Sequence, residues 1–190
     1  MEKKVIFGLL GAPRSGKDSV SRFLEDNYQF KSIAFADFIK IEFGISKEAF
    51  EEAKNTPQID ELRTELWKFS ATKKAEDPWY FIKKAMEFAH NNVESIVVND
   101  IRTPDELHAV FTYIPNKVPF RRVYLVERAG IPTFDDNDML IESKLSHGII
   151  EEYAKYHTYN DESAVKNIYN TGNIENFNNY LHNFFDSELK

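Results

Sequence analysis

Gly11-Ala12-Pro13-Arg14-Ser15-Gly16-Lys17-Asp18-Ser19 begins where the apolar run Val5-Ile6-Phe7-Gly8-Leu9-Leu10 stops, and it leads into a helix-like segment, Ser19 to Asp26. A G-x-x-x-x-G-K stretch between a buried strand and a helix is a Walker A loop in its proper setting. Glycines let the backbone N–H groups of such a loop turn inward around phosphate oxygens. The helix N-terminus behind the loop adds favourable dipole charge. Lys17 brings a positive point charge to the β- and γ-phosphates. Residues Gly11, Ala12, Pro13, Arg14, Ser15, Gly16, Lys17, Asp18 and Ser19 are therefore expected to surround the triphosphate tail of a nucleotide.

The loop departs from the usual pattern at one position. Asp18 follows the lysine where Ser or Thr commonly offers a hydroxyl to Mg²⁺, and Ser19 comes next. A carboxylate is also a hard oxygen ligand, so Asp18 is a candidate to hold the metal directly or through water.

Composition narrows the rest. A chain of 190 residues, 42% of them hydrophobic, suffices for one domain with a real core. The net charge of −7 argues against nonspecific nucleic-acid binding but not against a small anionic ligand. Cysteine is absent, which excludes disulfides, thiolate catalysis and cysteine-ligated metals. The opening Met1-Glu2-Lys3-Lys4 and the short apolar run resemble a signal peptide only superficially, because the run feeds straight into the phosphate loop. No apolar stretch is long enough to span a bilayer. A soluble, cytoplasmic protein is expected.

Extended and helical patterns alternate along the chain. Strands are expected at Lys4–Leu10, Phe30–Ala36, Ser95–Asn99, Arg122–Glu127 and Val165–Tyr169. Helices are expected at Lys17–Asn27, in a long region from Asp37 to Asn92 broken near Gly44, Thr56-Pro57 and Asp77-Pro78, at Pro104–Tyr113, at Met139–Tyr156, and from Thr171-Gly172-Asn173 to about Leu189. This alternation predicts an α/β fold with a mostly parallel sheet between two helical layers. Ligands in such sheets sit beyond the carboxyl ends of the strands. The phosphate loop, Asp37, Asp100-Ile101-Arg102, Arg128 and Asn170-Thr171-Gly172 all follow strands and are placed on one rim.

Phosphoryl transfer needs in-line placement and neutralisation of developing charge more than it needs a nucleophilic side chain. Asp100, at a strand end, is positioned to hold Mg²⁺ through water or to accept a hydroxyl proton, and Arg102 to bridge phosphates. The amphipathic region Asp60–Trp79 offers Arg63, Lys73 and Lys74 to an acceptor phosphate, and Trp67, Trp79, Tyr80 and Phe81 are candidates to border its pocket, with core packing as their competing role. Arg128 opens a loop rich in Gly, Pro and acids, which would carry an arginine over bound phosphates and exclude water. Asn170 and Gly172 are candidates to approach the donor base. The histidines show no metal-ligand spacing.

Taken in order, Ser15-Gly16-Lys17-Asp18, Phe35-Ala36-Asp37-Phe38-Ile39-Lys40, Glu76-Asp77-Pro78-Trp79, Val98-Asn99-Asp100-Ile101-Arg102 with Asp105-Glu106-Leu107, and Asn170-Thr171-Gly172 before the last helix form a recognisable series. The chain resembles the phage-type deoxynucleoside monophosphate kinases, and also the animal-type phosphomevalonate kinases. The resemblance implies a three-layer P-loop kinase fold, a five-stranded sheet, and a single domain over 1–190. A helical acceptor-binding insert would occupy about 37–92 and a lid about 128–140. It implies ATP as donor, Mg²⁺ as cofactor, and a small phosphate monoester as acceptor. By the same resemblance Lys17 stabilises the transferring phosphoryl, Asp18 assists Mg²⁺ and Arg14 faces the phosphates. Arg102 holds acceptor or transferring phosphate, Arg128 is the lid arginine, and Asp37 and Lys40 begin the monophosphate-binding region. A monomer or homodimer, with no stable nucleic-acid or membrane partner, fits that picture.

Two alternatives compete. Another small phosphorylated metabolite, such as phosphomevalonate, could be the acceptor. A nucleotide-binding switch would need no acceptor, but Pro119 spoils the guanine-reading pattern in Asn116-Lys117-Val118-Pro119, and no Asp-x-x-Gly occurs in the chain.

Overall fold

The computed structural model describes residues 4–112, 120–130 and 165–189. Within them five strands form one sheet: β1 (Val5–Leu10), β2 (Lys31–Ile33), β3 (Ile96–Val98), β4 (Phe120–Arg128) and β5 (Val165–Asn170). Their order is β2-β3-β1-β4-β5, and every pairing between neighbours is parallel. The helices are α1 (Lys17–Tyr28), α2 (Phe35–Phe43), α3 (Lys47–Ala53), α4 (Ile59–Glu76), α5 (Tyr80–Asn91), α6 (Pro104–Thr112) and α7 (Ile174–Glu188). The helix expected at Met139–Tyr156, the lid beyond Gly130 and the Asn116–Pro119 segment lie outside the described residues.

β1 is buried along its whole length, as a central parallel strand must be. Its side chains divide by period two. Ile6 and Leu10 join a cluster with Phe35 and Phe38 of α2, Phe81 and Met86 of α5, and Leu107 of α6. Val5, Phe7 and Leu9 join the opposite cluster with Val20, Phe23 and Leu24 of α1 and Phe177, Leu181 and Phe185 of α7. Phe7 anchors the second cluster, with ring centroids 5.0 Å from Phe30 and from Tyr124, and 5.8 Å from Phe185. Much of the chain's aromatic content is thus core. The packing at Gly8 is close: a Cβ there would lie 2.7 Å from Cδ1 of Ile101 and 3.1 Å from Cγ2 of Val123, so any larger residue would displace the Ile101 side chain.

The breaks expected at Gly44, Thr56-Pro57 and Asp77-Pro78 separate α2, α3, α4 and α5. Gly44 ends α2 in the left-handed conformation that glycine tolerates best, at φ 89°. Strand two is shorter than Phe30–Ala36. β2 stops at Ile33 and the chain is helical from Phe35. Asp37 causes the early turn: its Oδ2 accepts from the backbone N–H of Ala34 at 3.0 Å, which caps the first turn of α2. That local hydrogen bond outweighs the extended preference of the Phe-Lys-Ser-Ile-Ala-Phe pattern.

α7 is fastened to the sheet by a buried ion cluster at its C-terminal end. The Glu188 carboxylate, 6% exposed, pairs with Arg122 of β4 and with Lys166 of β5, the latter at 2.5 Å. The Tyr124 hydroxyl donates to it at 3.1 Å. Because β2 and β3 lie on one side of β1 and β4 and β5 on the other, the strand order switches beside β1, and a crevice is expected above its carboxyl end.

Candidate functional site: a glycine-rich loop beside a cavity

The loop from Gly11 to Gly16 crosses the carboxyl end of β1 and enters α1. Three of its residues have positive φ: Gly11 at 149°, Arg14 at 64° and Gly16 at 110°. At Gly11 a Cβ would lie 2.3 Å from the carbonyl oxygen of Val126, and at Gly16 it would lie 2.5 Å from Nδ2 of Asn170. Both glycines are thus demanded by neighbours as well as by backbone angle. Ser15 is buried and its N–H donates to Ala12 O at 3.1 Å, which tightens the loop. Ser19 sits in the first turn of α1, and Pro13 in the loop is half-buried.

Lys17 is buried to 8% exposure. Its ammonium donates to the carbonyls of Gly11 at 2.9 Å and Ala12 at 3.1 Å, and lies 3.4 Å from Oδ1 of Asp100. The charge is held at the loop rather than in solvent. Asp100 sits just past β3 at φ 62°, an unusual left-handed position for a non-glycine residue. The next residue fixes this turn, because Ile101 N–H donates to Leu9 O at 2.9 Å. The other Asp100 oxygen accepts from Arg102, with Nε at 2.7 Å and Nη2 at 2.5 Å. Asp100 therefore links Lys17 of the phosphate loop to Arg102.

Arg102 opens onto a cavity of about 500 Å³ between α2, the α4–α5 corner and the start of α6. That volume lies in the usual range for small-molecule sites. Its apolar part is Ala34, Phe35, Ala36, Ile39, Pro78, Phe81 and Ile82, and its charged part is Lys74, Asp100, Arg102, Asp105 and Glu106. Glu106 closes the rim through a capping box: its Oε2 accepts from Arg102 N–H at 2.7 Å and Thr103 N–H at 3.1 Å, while Thr103 Oγ1 accepts from Glu106 N–H at 3.2 Å. Burial pushes the Glu106 carboxyl above its ordinary range, against the pull of those two amides and of the Lys74 charge.

The residues expected at the acceptor separate into two groups. Lys74 and Arg102 line the cavity. Asp37, Lys40, Arg63 and Trp79 are not among its lining residues. Asp37 caps α2 and pairs with Lys40 at 2.8 Å, and the Lys40 ammonium lies over the Phe50 ring. Arg63 is exposed beside Asp60 at 3.6 Å. Trp79 packs on the core with its ring 6.0 Å from that of His108. The aromatic wall comes from Phe81, one of the residues the sequence offered as a pocket border, and from Phe35, which nothing in the sequence marked for a ligand role.

On the other side of the loop Asn170 is buried, and its side-chain amide donates to Ser15 O at 2.8 Å. It braces the phosphate loop. Gly172 makes the turn at φ 90° ahead of Asn173, which caps α7 by accepting from Asn176 N–H at 2.9 Å. Arg128 is exposed at the end of β4, paired in register with Asn170. Arg14 is exposed on the loop.

No protein-family model matches this sequence, and no curated protein matches it either. Solved structures do. Shikimate kinase from Aquifex aeolicus superposes with a TM-score of 0.50 at 10% identity, over 96% of this chain and 97% of that one. The protein TT1252 from Thermus thermophilus superposes with a TM-score of 0.50 at 16% identity, over 99% of each chain. The chain shares their fold, a parallel five-stranded α/β sheet flanked by helices. Likeness at such identity speaks for architecture, and the reaction must be argued from the side chains.

The donor set suits Mg²⁺. Mg²⁺ in phosphoryl-transfer sites keeps several waters and takes one or two carboxylates together with substrate phosphates. Asp18 fits this: it is an exposed carboxylate in the first turn of α1, and its Oδ1 accepts from Asn99 Nδ2 at 2.8 Å. Both Asp100 oxygens already carry a cationic partner, so Asp100 is the weaker candidate for direct ligation. No cluster of three or more acidic, histidine or cysteine side chains able to hold a metal occurs among the described residues. None of their helices is long and apolar enough to cross a membrane.

Proposed function

We propose that this protein is a phosphotransferase that moves the γ-phosphoryl of ATP, with Mg²⁺, to a nucleoside monophosphate, and that deoxynucleotides are the favoured class. The observation that carries the reading is the chain Lys17–Asp100–Arg102, which joins the phosphate loop to the adjoining cavity. Donor phosphates bind to the loop amides and to Lys17, which exchanges its carbonyl partners for phosphate oxygens. Arg102 reaches the monoester phosphate of the acceptor, whose flat body lies on the Phe35 and Phe81 side. Mg²⁺, when bound, neutralises charge on the β- and γ-oxygens. Asp18 holds it, with Asp100 at most water-linked. Arg128 and Arg14 add positive charge where the phosphates emerge.

A second reading draws on the Asp100, Asp105 and Glu106 carboxylates of the cavity wall. A carboxylate there could take a proton from a hydroxyl acceptor, the chemistry that the name shikimate kinase implies for that protein. The deciding experiment incubates the protein with ATP, Mg²⁺ and separate acceptors: ribo- and deoxynucleoside monophosphates, phosphomevalonate, and shikimate. Diphosphate formed from a nucleoside monophosphate supports the proposal. Turnover of phosphomevalonate or shikimate alone rejects it. ATP hydrolysis indifferent to every acceptor favours the switch.

A further inference from the structure

The side-chain amide of Asn99 contacts Asp18, the one position where the phosphate loop departs from its usual chemistry. Asn99 directly follows β3, and its N–H donates to Ile33 O at 2.7 Å, which pins it to β2. Its Nδ2 donates to Asp18 Oδ1 at 2.8 Å, across 81 residues of sequence. Its own Oδ1 is buried and has no hydrogen-bond partner among the described residues. Turning the amide over would press that oxygen against the Asp18 carboxylate, so the observed orientation follows from the contact with Asp18. A buried carbonyl without a partner is costly, and an apolar side chain of the same shape would avoid the cost. Packing alone gives no reason for an asparagine here.

Asp18 gives one. A Ser or Thr at this position is neutral and short, whereas a carboxylate in the first turn of α1 is drawn toward the loop amides and Lys17, the groups a phosphate needs. We propose that Asn99 is a positioning residue for Asp18: it holds Oδ1 aside, so that Oδ2 is the atom left to take Mg²⁺ and the carboxylate stays out of the phosphate cradle. The proposal rests on the ATP–Mg²⁺ reading above.

The test measures ATP binding by calorimetry on the full chain, with EDTA and with Mg²⁺. It compares wild type, Asn99→Leu, Asn99→Ala, Asp18→Asn and the Asn99→Leu/Asp18→Asn pair. The tightening of ATP binding by Mg²⁺ should fall about tenfold in Asn99→Leu, the lower end for loss of a group that orients a metal ligand. Asn99→Ala should show the same loss, which guards against failure of one variant to fold; circular dichroism checks both. In the Asp18→Asn background Asn99→Leu should change nothing, because the two residues act through one contact. Full Mg²⁺ tightening in the Asn99 variants, or an equal loss with and without Asp18, overturns the proposal. Wild-type protein that binds ATP with no gain from Mg²⁺ also overturns it but leaves the nucleotide reading intact. Wild-type protein that binds no ATP in either buffer overturns the nucleotide reading itself, and this proposal with it.

Discussion

Asn170 Nδ2 donates to the carbonyl oxygen of Ser15 at 2.8 Å, across 155 residues of sequence. One buried amide at the end of β5 therefore sets the shape of the phosphate loop at the end of β1. Asn170→Ala leaves the Ser15 carbonyl without this donor, at a cost of about 1–3 kcal/mol. Urea denaturation should show that loss, and calorimetry should show weaker ATP binding than wild type. Gly16→Ala attacks the same spot from the other side, since its Cβ would meet Asn170 Nδ2 and the φ of 110° is strained for alanine. It should bind ATP more weakly than Asn170→Ala does. Equal ATP affinity in all three proteins would remove Asn170 and Gly16 from any part in the loop's shape.

Lys17 and Arg102 share Asp100 but serve different ligands in the proposed reaction. Lys17→Met should weaken ATP binding by at least tenfold, the scale of one charged hydrogen bond. Arg102→Met should leave ATP binding within about twofold and raise the KM for the monophosphate acceptor by about tenfold or more. Steady-state kinetics with each substrate varied in turn distinguishes the two. A change in ATP affinity alone for Arg102→Met would place that arginine at the donor.

Glu106 makes stability depend on pH. Burial raises its folded-state pKa above the ordinary 4.5. Below about 4.5 both folded and unfolded chains hold the proton. As pH rises through that value the unfolded chain ionises first, so folding loses free energy until the folded-state value is passed. Glu106→Gln keeps a side-chain oxygen for the capping box and has no proton to lose. Its stability relative to wild type should therefore grow as pH rises from 4 and then level off, as measured by urea denaturation between about pH 4 and 8. A relative gain by wild type over that range would mean that the two amide donors and Lys74 outweigh burial.

The Glu188 carboxylate pairs with two cations from different strands and accepts from Tyr124. Glu188→Ala strips Arg122, which is 9% exposed, of that countercharge. Loss of one partner from a buried pair costs about 3–5 kcal/mol. A denaturant midpoint shift of that size is expected, whereas Glu175→Ala, in the exposed first turn of α7, should lie within about 0.5 kcal/mol of wild type.

Most of the framework was legible before the structure. The breaks at Gly44, Thr56-Pro57 and Asp77-Pro78 were readable because glycine and proline act locally on φ and on the helical N–H. The end of β2 was not, because Phe30–Ala36 looks extended until the Asp37 carboxylate is seen capping Ala34. Lys74 and Arg102 stood out by charge, and both line the cavity. Arg63, Lys40 and Trp79 stood out in the same way and do not line it, since a charged or aromatic side chain on a helix does not announce which neighbour it meets. Phe81 was a candidate for the pocket border and does line it, whereas Phe35 carried no sign, being indistinguishable from a core residue in a phenylalanine-rich chain.

The sequence by itself determined the phosphate loop, its place after a buried strand, and the alternation that leads to a parallel sheet between two helical layers. These are local matters of backbone angle, side-chain period and the obligation to bury apolar faces. Only the tertiary structure decided that Asn170 braces Ser15, that Asn99 holds Asp18, and that the cavity lies beside Arg102. Each depends on strand order, which brings residues far apart in the chain to one rim, and no periodic pattern records which strand lies next to which.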